Sequence, residues 1–170
     1  MTTEVAHWQK EDKIRMENIK TVPRIIIPID RTVSFDPETF LGSGWTIERE
    51  DELSLGLELI NPAGIKLEGI TNQIAGEERL KRLEKTTGYI RLDAEIFKIF
   101  WKKQKLIPES WKEKTIGSGM VLISFEGTVL RGPDGNCYVL SLVCFDSSQW
   151  YWARCNLRRS LNGNVFSAVL

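Results

Sequence analysis

The sequence predicts an α+β protein in which antiparallel β-meanders pack on a central pair of helices. Alternation of apolar and polar residues, which is typical of half-buried strands, recurs on both sides of the chain's central section. That section, residues 76–115, is rich in helix formers and places apolar residues three or four positions apart. The chain has 170 residues, of which 42% are hydrophobic, so it can bury a core without disulfides or metals.

The predicted organisation is an arm with a first strand over residues 1–34, followed by one domain over residues 35–170. Within the domain we expect a β-meander over residues 35–75 and the helical section described above. A second meander is expected over residues 117–170, because several alternating runs there are separated by turn signals.

The N-terminal elements follow from local chemistry. Residues 4–20 are polar with few apolar positions, which predicts a marginal helix or a partly ordered arm. Residues 24–29 are β-branched and predict a strand, and Pro28 places it at a sheet edge or a strand end. Asp36 and Pro37 predict the N-cap and first residue of a single helical turn.

Residues 45–48, 53–60 and 65–69 alternate in polarity and predict the three strands of the first meander. Four acidic residues would then gather at a hairpin turn, where solvated acids are normal: Glu48, Glu50, Asp51 and Glu52.

The helical section carries its own boundary signals. Leu80 and Leu83 share one face of a helix that covers most of residues 76–85. Asp93 predicts the N-cap of the next helix, whose apolar face is followed by lysines directed to water. Pro108 opens a short helix that contains Trp111, which we expect to lie in the core.

The C-terminal meander has strands predicted over residues 120–130, 136–145, 150–157 and 165–169, with a proline-glycine turn at 132–135. A turn centred at residues 147–148 would place Phe145 opposite Trp150. One face of that hairpin would then carry two tryptophans for stacking a sugar or base, an arginine for a carboxylate or phosphate, an amide and a hydroxyl. These predicted ligand-binding residues are Trp150, Trp152, Arg154, Asn156 and Ser141.

Two alternatives stay open for this face. A helix over residues 94–104 could cover it, which would make the tryptophans part of the core. A slip of one residue in the register would also exchange the two faces. A second candidate is an anion-binding patch of Arg131, Arg158 and Arg159 together with Arg154, and its alternative is a solvated rim.

The sequence offers little for catalysis or metal binding. Its single histidine, His7, lies near the N-terminus, and no nucleophile elbow, P-loop or dinucleotide fingerprint is present. Cys137, Cys144 and Cys155 form no closely spaced pair, so we predict no metal and no cofactor. An enzyme is less favoured than a binding protein. A small hydrolase that uses carboxylates stays an alternative, and Glu126 is the strand acid to check.

Charge and hydropathy limit the partners. The chain balances 23 basic against 23 acidic residues, so nucleic acid is possible but not favoured. Residues 1–100 carry 14 basic and 18 acidic side chains, and residues 101–170 carry 9 and 5. No apolar run approaches the about 18 residues of a membrane span, and no secretory signal is evident. We therefore expect a cytoplasmic protein whose partner is an unknown protein or small ligand, with no membrane contact.

Several strings resemble a family of short uncharacterised bacterial proteins from small-genome candidate phyla. They are residues 76–83, 90–94, LIPESWKEK at 106–114, GTVLR at 127–131 and 167–170. The resemblance covers residues 35–170 and implies a bacterial, non-secreted protein. It carries over no activity, cofactor or functional residue.

The leading functional hypothesis is a non-enzymatic binding or interaction module that uses its C-terminal antiparallel sheet. The alternatives are a binder of carbohydrate or single-stranded nucleic acid through an aromatic sheet face, and a small carboxylate-dependent hydrolase.

Overall fold

The computed structural model describes residues 25–69, 74–115, 117, 119–146, 149–160 and 164–170. The expected α+β class is confirmed by the combination of antiparallel and mixed sheets with several helices. The predicted arm over residues 4–20, including His7, lies outside the described residues.

Five α-helices occur in the described ranges. They are α1 (Pro37–Leu41), α2 (Glu52–Leu55), α3 (Gly76–Lys85), α4 (Ala94–Lys102) and α5 (Glu109–Lys112). The strands are β1 (Ile27–Pro28), β2 (Thr46–Glu50), β3 (Leu59–Ile60), β4 (Lys66–Gly69), β5 (Met120–Arg131), β6 (Cys137–Phe145), β7 (Trp150–Asn156) and β8 (Val165–Val169). Single 3₁₀ turns lie at Pro62–Gly64, Gln104–Leu106 and Glu113–Thr115.

A six-stranded mixed sheet organises the molecule in the order β4-β8-β5-β6-β7, with β2 also paired to β5. The long strand β5 accommodates two neighbours on one side because its residues 122–124 pair with β8 and its residues 128–131 pair with β2. The β5–β8 pair is parallel, whereas the other pairs of this sheet are antiparallel. A separate small sheet joins β1 to β3.

The prediction of a first meander over residues 35–75 is wrong, because the strands described in this range do not pair with one another. β2 pairs with β5, β3 with β1 and β4 with β8. The alternating leucines before residue 56 form α2 rather than a strand, because the Asp51 carboxylate accepts a hydrogen bond from the Leu53 N–H at 3.1 Å and caps the helix. Local capping therefore overrides the polarity pattern here.

The two longer helices lie on opposite faces of the sheet rather than as one central pair. Phe97 and Phe100 of α4 belong to the larger core cluster, together with Ile123 and Leu142 of the sheet. Leu80 of α3 belongs to the second cluster, which contains side chains from the opposite sheet face. Because side chains alternate along a strand, the two clusters define the two faces.

The C-terminal meander β5-β6-β7 is present, but its hairpin register was predicted one residue out. Cys144, not Phe145, lies opposite Trp150, and Leu140 lies opposite Arg154. The loop between the paired strands therefore holds one more residue than expected, and Asp146 within it takes a positive φ of 48°. An odd change in loop length reverses which side chains share a face.

Candidate functional site

A surface groove of about 520 Å³ lies where the end of β7 meets the β5–β6 turn and the start of β2. Aromatic, basic and amide side chains line it together. The lining residues are Trp45, Pro133, Asp134, Tyr138, Arg154, Cys155, Asn156 and Arg159.

The β5–β6 turn builds one wall of the groove. Gly135 takes the left-handed conformation that the proline-glycine turn requires, with φ 75°. Asp134 accepts hydrogen bonds from the Tyr138 hydroxyl at 2.6 Å and from the side-chain and backbone nitrogens of Asn136 at 2.8 and 3.0 Å. The bond from Tyr138 and those from Asn136 lower the pKa of Asp134 to about 2, so this carboxylate is ionised and already occupied.

An arginine that stacks on a tryptophan forms the opposite wall. The Arg154 guanidinium lies 5.1 Å from the centre of the Trp45 ring, a cation–π contact. Trp45 in turn makes an edge contact with Tyr138 at a centroid distance of 5.1 Å. Because Trp45 is buried and Arg154 is exposed, the indole holds the guanidinium at the surface, where its N–H donors remain accessible.

The structure separates the five predicted ligand-binding residues. Arg154 and Asn156 line the groove. Trp150 is 2% exposed and belongs to the core, as the alternative interpretation held, and Trp152 packs on Phe40 at 5.1 Å between ring centroids. Ser141 lies on the opposite sheet face, fully buried, because the register is shifted by one residue.

The predicted anion patch is not assembled as expected either. Arg131 donates to both Glu48 carboxylate oxygens at 2.6 Å, and this pairing raises the pKa of its guanidinium. Arg159 lines the groove, whereas its exposed neighbour Arg158 does not. The arginines that share a site are therefore Arg154 and Arg159.

Sequence reasoning missed Trp45, Asp134 and Tyr138 as site residues. Trp45 reaches the groove because Thr46 pairs with Arg131, far along the chain. Only the turn signal at residues 132–135 pointed towards this place, and it was interpreted as a connection alone.

A second cavity of about 230 Å³ lies beside the N-terminus of α4 and contains carboxylates. Asp93, the predicted cap of α4, also binds Arg31 at 2.9 Å and accepts from the Ser54 hydroxyl at 2.9 Å. Glu50 lines the same cavity, and burial, followed by the negative charge of Asp93, raises its pKa. The expected cluster of solvated acids at a hairpin turn is therefore only partly correct: Glu48 and Glu52 are exposed, whereas Glu50 is half-buried and Asp51 is buried as the cap of α2.

Glu126, the strand acid singled out by the sequence, lies under α3. Its carboxylate pairs with Arg79 and accepts from the Ser167 hydroxyl at 3.1 Å. Both charged side chains are almost fully buried, and burial raises the pKa of Glu126. Glu126 lines neither the groove at the end of β7 nor the cavity beside α4.

Within the described ranges, no group of three or more histidine, cysteine or acidic residues could hold a metal ion. No helix among the residues described is long and apolar enough to cross a membrane. Comparisons with protein-family models, curated proteins and solved structures found no match to this chain.

Proposed function

We propose that the protein is a non-enzymatic binding module of bacterial cytoplasm, and that its working surface is the groove at the end of β7. The ligand would be a small molecule or protein segment that carries a carboxylate or phosphate beside a planar or apolar group. The observation that supports this proposal is the stacking of Arg154 on Trp45 in a groove that also contains Arg159.

Charge distribution favours an anion in this groove. In the described part of the chain, Arg31, Arg79, Arg91 and Arg131 each pair with a carboxylate, whereas Arg154 and Arg159 make no such pair. Asp134 is the one acidic residue of the lining, and hydrogen bonds from its own turn occupy it. Two arginines with open donors therefore face a shared space, which suits the oxygens of a carboxylate or phosphate.

The test uses phenyl phosphate and benzoate as probes, and their binding is monitored by two-dimensional NMR of the ¹⁵N-labelled protein. We expect both probes to shift resonances of the groove, and Arg154→Gln or Arg159→Gln to weaken phenyl phosphate binding roughly tenfold each. Arg158→Gln is the matched control, because Arg158 is exposed next to the groove but does not line it. Equal weakening in all three variants, or no binding of either probe, would overturn the proposal.

Binding of carbohydrate or single-stranded nucleic acid is the first alternative. The exposed guanidinium of Arg154 supports the nucleic-acid version, because bases stack on arginine planes as well as on aromatic rings. An oligothymidine of about eight nucleotides would then bind with an affinity that falls steeply as the salt concentration rises. A flat salt response would remove the nucleic-acid version.

The carboxylate-dependent hydrolase is supported by one observation, the raised pKa of Glu50 beside Asp93 in the second cavity. A carboxyl group with a raised pKa, as in Glu50, suits the role of the general acid. A panel of nitrophenyl esters and glycosides would show turnover that Glu50→Gln abolishes. A panel without turnover would remove this alternative.

A further inference from the structure

The strand at the outer end of the sheet, β7, has one unpaired edge. Among the described strands, β6 pairs with it on one side and no strand pairs with it on the other. Its sequence contains a single charged residue, Arg154, and no proline, and its register with β6 runs without a bulge. Proteins usually protect such edges with charges, prolines, bulges or short length.

The opposite edge of the same sheet shows that protection. β4 has only four residues, and it carries Lys66 and Glu68. One edge of the sheet is therefore protected and the other is not. This contrast indicates that the β7 edge is kept open for pairing.

The hydrogen-bond pattern identifies which backbone groups point outwards. Leu157 donates its N–H to the Cys137 carbonyl opposite it at 2.9 Å. Because bonded and non-bonded pairs alternate in an antiparallel ladder, Cys155 and Ala153 bond to β6, whereas Trp152 and Arg154 direct their N–H and C=O groups away from it.

Both ends of this edge are closed by contacts. At one end the Gln104 side chain donates to the Trp150 carbonyl at 3.3 Å. At the other end the Asn156 carbonyl accepts from the Arg159 N–H at 3.2 Å. In the described part of the chain, the outward backbone groups of Trp152 and Arg154 have no hydrogen-bond partner. The part of the β7 edge that is free to pair is therefore limited to residues 152–154.

We propose that the β7 edge binds an extended acidic peptide segment of a partner protein by strand addition. A peptide residue paired with Arg154 places its side chain on the same face as that arginine, next to the groove that contains Arg159. A carboxylate at this position meets both arginines. The peptide residue paired with Trp152 lies two positions away on the same face, where Trp152 and Phe40 form an apolar surface.

This inference rests on the proposed function, since both use Arg154, and it adds the class of partner. The probe is a capped, fluorescein-labelled peptide of roughly seven residues, the length of a common strand, built from threonine and valine with one central glutamate. The matched control peptide carries lysine in place of the glutamate. Fluorescence anisotropy gives the affinities.

Two substitutions at one position separate the backbone contribution from that of the side chain. Arg154→Thr and Arg154→Pro both remove the guanidinium, but only proline also removes the outward N–H, and an edge strand tolerates proline where the N–H faces away from its neighbour. We expect the glutamate peptide to bind more tightly than the lysine peptide. Arg154→Thr should weaken it roughly tenfold, and Arg154→Pro should weaken it a further several-fold.

Residue-level hydrogen exchange by NMR tests the edge directly. In the free protein we expect fast exchange at Trp152 and Arg154 and slow exchange at Ala153 and Cys155. Saturating glutamate peptide should slow the first pair. Equal peptide affinity of Arg154→Thr and Arg154→Pro, or slow exchange at Trp152 and Arg154 without peptide, would overturn strand addition.

Failure of this inference is distinct from failure of the proposed function. Phenyl phosphate needs the arginines but not the backbone edge, so it should bind Arg154→Thr and Arg154→Pro equally. Binding of phenyl phosphate without binding of the peptide would leave the groove as an anion site and remove the peptide. A concentration-dependent dimer in light scattering, abolished by Arg154→Pro but not by Arg154→Thr, would instead assign the edge to a second copy and overturn the acidic partner.

Discussion

Arg154 lies with its guanidinium 5.1 Å from the centre of the Trp45 ring, although the two residues come from distant parts of the chain. Trp45 immediately precedes β2, and Arg154 belongs to the edge strand β7. The contact restrains the guanidinium beside the indole, so less side-chain freedom remains to be lost when Arg154 binds an oxyanion. The indole ring of Trp45 is therefore part of the hydrophobic core and also part of the groove lining.

The first prediction concerns this shared role of Trp45. Trp45→Phe should keep an aromatic face under Arg154, whereas Trp45→Leu removes it and retains an apolar side chain. We expect Trp45→Leu to weaken phenyl phosphate binding more than Trp45→Phe, because cation–π contacts contribute about 0.5–1 kcal/mol at exposed sites. Urea denaturation of both variants controls for stability. Equal affinities at equal stability would contradict an orienting role for the ring.

The second prediction concerns pH and the wall of the groove. Tyr138→Phe removes the hydrogen bond that is the largest cause of the lowered pKa of Asp134, so the carboxyl should titrate above its wild-type value of about 2. Carbon-detected NMR of the carboxyl resonance measures both titrations. Since a lowered pKa stabilises the fold above the ordinary value of 3.8 and loses that effect as pH falls, the stability lost in Tyr138→Phe should shrink from pH 3.8 towards 2. An unchanged titration of Asp134 would contradict the assigned cause.

Local signals in the sequence predicted helix and turn boundaries well. Asp93 does cap α4, accepting from the Ile96 N–H at 3.0 Å, and Pro37 does open α1. The expected core position of Trp111 is also confirmed, at 3% exposure. These features depend on neighbouring residues and on burial of large apolar side chains, so a single sequence contains enough information for them.

Long-range pairing was not accessible in the same way. Nothing in residues 45–48 indicates that their partner is the end of β5, yet this pairing brings Trp45 to the groove. The length of the β6–β7 loop determines which residues of β6 share a face with Arg154. A single extra residue in that loop exchanges the two faces of β6. Of the five predicted binding residues, Ser141 was therefore assigned to the wrong face, although Arg154 and Asn156 do line the groove.

The third prediction separates the two tryptophans of β7. Trp150 is 2% exposed within the core, so Trp150→Ala should lower the free energy of unfolding by about 3–5 kcal/mol. Trp152 is half-buried against Phe40, so Trp152→Ala should cost clearly less. Urea denaturation of both variants gives the comparison. A larger loss for Trp152→Ala would contradict the assignment of Trp150, rather than Trp152, as the more deeply buried core residue.

The fourth prediction concerns Gly127, part of the GTVLR string. The backbone of residues 91–93 crosses it so closely that an added Cβ would lie 2.2 Å from the Arg91 carbonyl oxygen. Gly127 also donates its N–H to the Leu92 carbonyl at 2.8 Å, and its carbonyl accepts from the Asp51 N–H at 2.7 Å. Neither β5 nor the segment of residues 91–93 can therefore move away without losing hydrogen bonds.

Gly127→Ala should therefore destabilise the protein by more than about 4 kcal/mol or prevent folding. Gly56→Ala is the control, since its added Cβ would meet nothing closer than 3.5 Å and its φ of −75° suits alanine. Thermal unfolding of both variants provides the measurement. A Gly127→Ala protein as stable as Gly56→Ala would show that the crossing segment can shift.

The fifth prediction concerns the buried pair Arg79–Glu126, which links α3 to the sheet. Arg79 also donates to the Ser124 hydroxyl at 3.3 Å, and its Nε has no hydrogen-bond partner among the described residues. Such a pair contributes little net stability, because desolvation of two charges offsets their attraction, but either charge alone is costly. Glu126→Leu and Arg79→Met should each lower the free energy of unfolding by about 3–5 kcal/mol.

The double variant Arg79→Met with Glu126→Leu removes both charges and leaves apolar side chains under α3. We expect its stability to return close to that of the wild type, because no uncompensated charge remains buried. Urea denaturation of the wild type, the two single variants and the double variant completes the comparison. Additive losses in the double variant would mean that the pair stabilises the contact between α3 and the sheet in its own right, and that the second core cluster around Leu80 cannot hold the helix without it.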